Sequence, residues 1–223
     1  MYNDLVSTIL GDYIYTKSLV DLIDRGEDRI LRAITRTTYQ MSIGEMLQIH
    51  QKRSPFPSEK DYMELVDAKT ASLMSASCEV GALVADLDED RILLLREFGL
   101  ELGRAYQITD DIFDYVGDAG QLGKSSRSDL AEGKVTLPLI RALDRSNEAA
   151  RERMREILER KNVEPDDWKF VIALLDRHGT LDECRASAME AADRALSKLD
   201  RFSASVYLDG LREAVRYAVA RSH

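Results

Sequence analysis

Three aspartates at helical spacing are the residues of this sequence best suited to chemistry. They lie in the segment Gln107-Ile-Thr-Asp110-Asp111-Ile-Phe-Asp114-Tyr115. At about 100° per residue, Asp110 and Asp114 lie about 40° apart around a helix. Asp111 lies about 100° from Asp110, so one side of the helix carries three carboxylates. Carboxylates this close repel one another unless a cation lies between them, and Mg²⁺ prefers carboxylate oxygens together with phosphate oxygens. The spacing therefore indicates a magnesium site.

A solvated acidic helix end is the alternative interpretation of these three aspartates. Two features speak against it. The acids lie at the C-terminal end of the predicted helix, where the helix dipole disfavours negative charge by about 0.3–1 kcal/mol. Their neighbours are apolar and provide no Glu/Lys pairs at helical spacing. The arrangement therefore costs stability unless a cation compensates it.

Three lysines are candidate phosphate-binding residues. Lys124 and Lys134 follow the aspartates across a glycine-punctuated loop that we predict from Gly117 to Gly133, and Lys69 lies among small and apolar residues of an earlier helix. The ammonium group of lysine is a mobile point charge that suits phosphate oxygens. The alternative is that the loop lysines are solvated and that Lys69 extends to water from a helix edge.

The composition excludes several other classes of protein. The 223 residues are 44% hydrophobic and 32% charged, and the net charge of −9 disfavours nucleic acid as a partner. No uncharged run approaches the ~18 residues of a membrane span, so we expect no integral membrane association. Cys78 and Cys184 have no metal-site spacing, which favours reduced thiols and a cytoplasmic location. The three histidines share no metal or triad spacing, and no Walker or GxSxG motif is present.

The hydrophobic periodicity predicts an all-α protein with one helical domain over residues 1–223. Glycine and proline clusters separate the apolar patterns. Ser58 and Asp61 have the spacing of an N-terminal capping box, while Gly99 and Gly103 share a face and permit close packing. The predicted helices cover approximately residues 4–24, 28–51, 58–85, 88–116, 136–146, 148–161, 166–178, 181–199 and 205–220.

The segment from Gly103 to Tyr115 closely resembles the trans-polyprenyl diphosphate synthases, and four other blocks of the chain agree in order. The resemblance is detailed from Gly11 to Pro138 and looser afterwards. The four further blocks are Gly11-Asp12-Tyr13, Gly44-Glu45-Met-Leu-Gln48, Lys69-Thr70-Ala71-Ser-Leu73, and Gly123-Lys124 with Asp129-Leu-Ala-Glu-Gly-Lys134-Val-Thr-Leu-Pro138.

This resemblance implies an antiparallel helical bundle around a central cavity and a prenyltransferase that condenses isopentenyl diphosphate with an allylic diphosphate. In that family Mg²⁺ promotes departure of the allylic diphosphate and leaves a carbocation. The resemblance also implies a homodimer. The implied residues are Asp110, Asp111 and Asp114 for the metal, Lys69, Lys124 and Lys134 for diphosphate, and Lys69, Thr70 and Gln107 as catalytic groups. Of these, Thr70 and Gln107 match positions that face the carbocation in the family.

One departure from the family pattern is large. Family members carry an earlier aspartate-rich motif before the block that here begins at Gly11, and this sequence does not contain it. We therefore expect that about the first third of a family member is missing and that the chain alone lacks half of the metal site. A catalytically inactive partner subunit of a prenyl synthase is the alternative function, and a class I terpene cyclase is a third.

Overall fold

Every regular element in the described part of the chain is a helix, which confirms the predicted all-α class. The computed structural model describes residues 4–51, 56–116, 128–160 and 162–220. The elements are α1 (Asp4–Asp24), α2 (Asp28–Gln51), α3 (Glu59–Val66), a π-helical turn (Asp67–Ala71), α4 (Ser72–Val84), α5 (Glu89–Val116), α6 (Ser128–Ala131), α7 (Leu137–Asp144), α8 (Glu148–Arg160), α9 (Pro165–His178), α10 (Thr180–Lys198), a 3₁₀ turn (Leu199–Arg201) and α11 (Val206–Ala220).

The helix boundaries follow local chemistry that is visible in the sequence. Ser58 caps α3: its hydroxyl accepts the Asp61 backbone N–H at 3.1 Å, while its own N–H donates to the Asp61 carboxylate at 2.9 Å. This confirms the predicted capping box. Gly179 ends α9 at φ +64°, a left-handed conformation that glycine adopts without penalty.

Two elements differ from the sequence prediction. The short helix α6 lies within the segment predicted as a loop up to Gly133. The π turn interrupts what the periodicity presents as one helix from residue 58 to 85. A single extra residue in a helical turn leaves the hydrophobic pattern almost unchanged, so periodicity alone does not reveal it.

Helix α5 packs against α4 on one side and α10 on the other. Two glycines let the α4 and α5 backbones touch. A Cβ at Gly99 would lie 2.8 Å from the Cα of Ser75, and one at Gly103 would lie 2.5 Å from the Cα of Ala71. Both distances are too short for real Cβ contacts, so this packing requires glycine at both positions. The predicted close approach of this helix face is confirmed.

The opposite side of α5 is buried against α10. Phe98 and Ala105 pack there with the alanine-rich face of α10, which includes Ala191 and Ala195. Small residues on α10 allow the two helices to approach, and the fully buried ring of Phe98 fills the space that remains. Helix α5 is therefore held on both sides, and this fixes the direction of its aspartate-bearing end.

Helix α1 lies beside α2 and leaves many apolar side chains exposed. Leu5, Ile9, Tyr13, Ile14 and Ile23 are 56–67% exposed. Across the described ranges, no helix combines the length and the apolar character that crossing a membrane requires.

Substitution of Gly103 by alanine tests the contact of α5 with Ala71, the last residue of the π turn before α4. The added methyl group would meet the Ala71 backbone, which cannot move without shifting α4, so we expect a loss of about 1–3 kcal/mol in the free energy of unfolding. Gly81→Ala is the matched control, because no atom lies within 4 Å of a Cβ there. Helix propensity predicts that this control gains about 0.5–1 kcal/mol. Urea unfolding, followed by circular dichroism, measures the free energy of unfolding of both variants. An equal change in the two variants would contradict the close contact at Gly103.

Candidate active site

The π turn carries two of the predicted catalytic residues, Lys69 and Thr70. Its defining hydrogen bond runs from the Ser72 N–H to the Asp67 carbonyl, five residues back. Helix α2 approaches this turn closely, since a Cβ on Gly44 would lie 2.9 Å from the Cβ of Lys69. The turn is thus enclosed between α2 and α5. Such π turns are often found at functional sites.

A line of hydrogen bonds joins the π turn to the acidic end of α5. The Thr70 hydroxyl donates to Oε1 of Gln107 at 2.8 Å. The amide nitrogen of Gln107 donates to Oδ1 of Asp111 at 2.8 Å. The Tyr62 hydroxyl on α3 donates to Oδ2 of the same carboxylate at 2.7 Å. Helix α3 and the π turn, which are consecutive in sequence, are therefore both linked by hydrogen bonds to the acidic end of α5.

Asp111 is buried, with only 4% of the residue exposed. A buried carboxylate needs hydrogen-bond donors, and Gln107 and Tyr62 supply one to each of its oxygens. Burial, together with the neighbouring Asp111 charge, raises the pKa of Tyr62 well above its ordinary value. Tyr62 therefore stays protonated and remains a donor at neutral pH.

The other two aspartates of the motif are more accessible. Asp110 is exposed and Asp114 is half-buried, and both belong to the last turns of α5. Within the described ranges, no group of three or more His, Cys, Asp or Glu side chains is placed to hold a metal ion. The donors at Asp110 and Asp114 are hard carboxylate oxygens, the type that Mg²⁺ takes together with phosphate. Their chemistry fits that ion, and the prediction that all three aspartates are ligands stays a prediction.

Lys69 extends from the π turn toward α2. Its ammonium group lies 2.7 Å from Oε1 of Gln48 and 2.9 Å from Oε1 of Glu45, and a third of its side chain is exposed. The alternative that Lys69 merely extends to water does not describe this geometry, because two side chains of α2 hold it. The pairing also defines the lysine's position before any substrate is present.

Lys134 is tied to the end of α5 through its neighbours. Thr136, two residues further on, shares a 2.9 Å hydrogen bond with the hydroxyl of Tyr115, the residue after Asp114. The Tyr115 ring is buried and stacks on Trp168 with 5.9 Å between ring centroids. Lys134 itself pairs with Glu132 at 3.1 Å. The third predicted lysine, Lys124, lies outside the described residues.

A cleft of about 530 Å³ opens between α2, the π turn, α4 and α5. Its walls include Ile43 and Leu47 of α2, Leu100 of α5, and Asp67 and Ser72 near the π turn. Lys69, Thr70 and Gln107 are not among its described lining residues. This cleft therefore lies beside the candidate catalytic groups and does not enclose them.

Sequence reasoning did not identify Tyr62 as a site residue. It lies 49 positions before Asp111, in a segment that mixes charged and apolar residues, and nothing in that segment marks it as a site residue. The role of Gln48 and Glu45 as partners of Lys69 was also not predicted. The only available signal was their position in the block from Gly44 to Gln48.

Comparisons with known proteins agree with this geometry. The family described as Polyprenyl synthetase matches residues 1–175. The chain is 32% identical to the all-trans-nonaprenyl-diphosphate synthase (geranyl-diphosphate specific) of Rhodobacter capsulatus, over 99% of this chain and 67% of that protein. It is 30% identical to the octaprenyl diphosphate synthase of Escherichia coli K12, over 99% of this chain and 68% of that protein. The crystal structure of a decaprenyl diphosphate synthase from Rhodobacter capsulatus superposes with a TM-score of 0.90 at 30% identity, covering 98% of this chain and 67% of that one.

The chain thus spans about two thirds of the length of these relatives. The relatives match nearly every residue of this chain, and such a match carries no information about residues outside the given sequence. The comparisons therefore do not support the expectation that an N-terminal third is missing. An inactive partner subunit is not favoured either, because these relatives are named as synthases. The chain belongs to the polyprenyl synthetase family and is a prenyltransferase of the polyprenyl diphosphate synthase type.

Proposed function

We propose that this chain joins isopentenyl diphosphate to an allylic diphosphate, with the departing diphosphate bound at the end of α5. The observation that carries the proposal is the line of hydrogen bonds from Thr70 through Gln107 to Asp111. It connects the residues expected to face a carbocation with the acidic end of α5, where we propose that the diphosphate binds. Ionisation of an allylic diphosphate needs both groups of residues in one place.

We assign Asp110 and Asp114 as the aspartates that hold Mg²⁺, and Asp111 as the residue that orients the helix end. Asp110 is exposed, whereas Asp111 is buried and accepts hydrogen bonds from Tyr62 and Gln107. The Mg²⁺ ion, when bound, neutralises charge that develops on the departing diphosphate. Carboxylates on adjacent helical turns suit an ion that is shared with phosphate oxygens.

Lysines contribute further positive charge to the same diphosphate. Lys69 is held by Gln48 and Glu45 on α2, so it has a defined position before substrate binds. Lys134 is attached to the end of α5 through the Thr136–Tyr115 hydrogen bond. The ammonium group of lysine is a compact point charge that attracts phosphate oxygens. Lys124 is proposed for the same role from its sequence position alone.

Thr70 and Gln107 are proposed to face the developing carbocation. The Thr70 hydrogen points at Gln107, so the lone pairs of the threonine oxygen are free to face elsewhere. Oxygen lone pairs held in this orientation stabilise positive charge without moving during the reaction. The Gln107 amide cannot rotate without breaking its bond to Asp111, so this orientation is fixed.

We also propose that the chain forms a homodimer through α1. The family resemblance implies a dimer, and α1 exposes Leu5, Ile9, Tyr13 and Ile14 on a helix that packs beside α2. A continuous apolar surface of this kind is typical of a protein interface.

The unpaired thiols of Cys78 and Cys184 agree with the proposed reducing, cytoplasmic location.

Asp110→Asn tests the metal assignment. Loss of the charge removes a ligand, so we expect the Mg²⁺-dependent affinity for inorganic pyrophosphate to fall by about 100-fold, measured by isothermal titration calorimetry. Turnover of geranyl diphosphate with isopentenyl diphosphate should fall in parallel. The control is Asp90→Asn, another exposed aspartate, in the first turn of the same helix. Unchanged affinity in Asp110→Asn would remove this residue from the site.

Tyr62→Phe tests the anchoring of Asp111. The change removes one donor from a buried carboxylate, so we expect the free energy of unfolding to fall by about 1–3 kcal/mol at pH 8. Because the folded state raises the pKa of Tyr62, its stabilising effect is complete below the ordinary tyrosine pKa of about 10 and declines as the pH rises further. The difference between wild type and variant should therefore narrow above pH 10. Tyr39→Phe, an exposed tyrosine, is the control, and a difference independent of pH would contradict the raised pKa.

Sedimentation velocity tests the homodimer. We expect the wild-type chain to sediment as a dimer of two 25.2 kDa subunits. A charge in the proposed interface, Ile9→Glu, should give the monomer at micromolar concentration, since an unpaired carboxylate cannot be buried at low cost. Val206→Glu changes an exposed apolar position on α11, outside the proposed interface, and should leave the dimer intact. A wild-type monomer would rule out the interface.

A further inference from the structure

We infer that Arg104 is a positioning residue for Lys69 and Thr70, acting through an ion pair with Asp67 that fixes the start of the π turn. The inference rests on the proposed function only for its effect on ligand binding. Asp67 is the first residue of the π turn, and Lys69 and Thr70 follow it within three positions. A displacement of Asp67 therefore moves both side chains.

Arg104 binds Asp67 through two hydrogen bonds and is itself held by Glu101, which also binds Arg194. We call these four residues the Arg104 clamp. Nε and one terminal nitrogen of Arg104 each lie 2.6 Å from a different oxygen of Asp67. The other terminal nitrogen lies 2.7 Å from Oε1 of Glu101, one turn back on α5. The second Glu101 oxygen is held by Arg194 of α10 at 2.8 Å. Arginine can make this bidentate contact because its guanidinium is planar, and lysine cannot.

The clamp is partly removed from water, which increases its effect. Only 24% of the Arg104 side chain and 11% of the Glu101 side chain are exposed. The bonds to Asp67 raise the pKa of Arg104 further above its ordinary value, so it is charged at every accessible pH. The group contains two acids and two arginines, so its own formal charges balance.

The position of Arg104 explains why the clamp acts on the π turn. Its neighbour Gly103 contacts Ala71, the last residue of the turn, and Arg104 binds Asp67, the first residue. Helix α5 thus contacts both ends of the five-residue turn. An α-helical register would rotate Lys69 and Thr70 relative to α5 by up to about 100°. The clamp opposes that rotation, because Asp67 would have to leave the guanidinium.

Arg104→Gln tests this inference in two independent ways. Hydrogen–deuterium exchange of amides 68–73 should accelerate by about tenfold. The affinity for inorganic pyrophosphate with Mg²⁺ should fall by about tenfold, the usual effect of losing a residue that orients a ligand group. Arg145→Gln is the matched control, because Arg145 makes a bidentate pair with Glu183 between α7 and α10. That variant should change neither quantity. If Arg104→Gln does not fold, Asp67→Asn removes the same ion pair.

A double-mutant cycle separates positioning from general stabilisation. If Arg104 acts through Lys69, Arg104→Gln should weaken pyrophosphate binding in the wild type but have little effect in a Lys69→Met background. Equal losses in both backgrounds, or unchanged exchange of amides 68–73, would overturn the inference. If the wild-type chain binds no pyrophosphate, the proposed function fails, and the exchange measurement alone decides whether the clamp holds the turn.

Discussion

The contact between the π turn and α5 is the constraint on which the rest of the site depends. Gly103 lets the Ala71 backbone lie against α5 with no side chain between them. Only at this distance can the Thr70 hydroxyl reach Gln107 at 2.8 Å. The same approach brings Tyr62 of α3 to the buried carboxylate of Asp111. A larger residue at position 103 would separate these partners. Both the packing of α5 against the π turn and the hydrogen bonds of the site therefore require glycine there.

The site combines groups whose charges would otherwise be unfavourable. Aspartates at the C-terminal end of a helix oppose its dipole, and burial of Asp111 adds a cost of desolvation. Hydrogen bonds from Gln107 and Tyr62 offset the desolvation of Asp111. The proposed cation would offset the unfavourable interaction of the aspartates with the helix dipole. This arrangement explains why acids, lysines and neutral donors occur together at the end of α5.

Sequence reasoning predicted the helices well, while the roles assigned to the site residues stay predictions. Glycine and proline positions mark most helix ends, and the period of Asp110 and Asp114 predicts their common face. The π turn could not be predicted, because one inserted residue hardly alters the apolar pattern. Tyr62 could not be predicted either, since its contact with Asp111 joins residues that lie 49 positions apart. Lys69 was identified as a cation near the site, but its partners on α2 depend on the close approach at Gly44.

A crystal structure with Mn²⁺ and pyrophosphate would show whether the acidic end of α5 holds divalent cations together with diphosphate. Mn²⁺ takes the same oxygen ligands as Mg²⁺ and gives an anomalous signal. We expect an anomalous peak within about 2.0–2.5 Å of carboxylate oxygens of Asp110 or Asp114, with a pyrophosphate oxygen beside the same peak. The Thr70–Gln107–Asp111 hydrogen bonds should remain intact. Pyrophosphate bound elsewhere, with both carboxylates directed into solvent and no anomalous peak beside them, would contradict it.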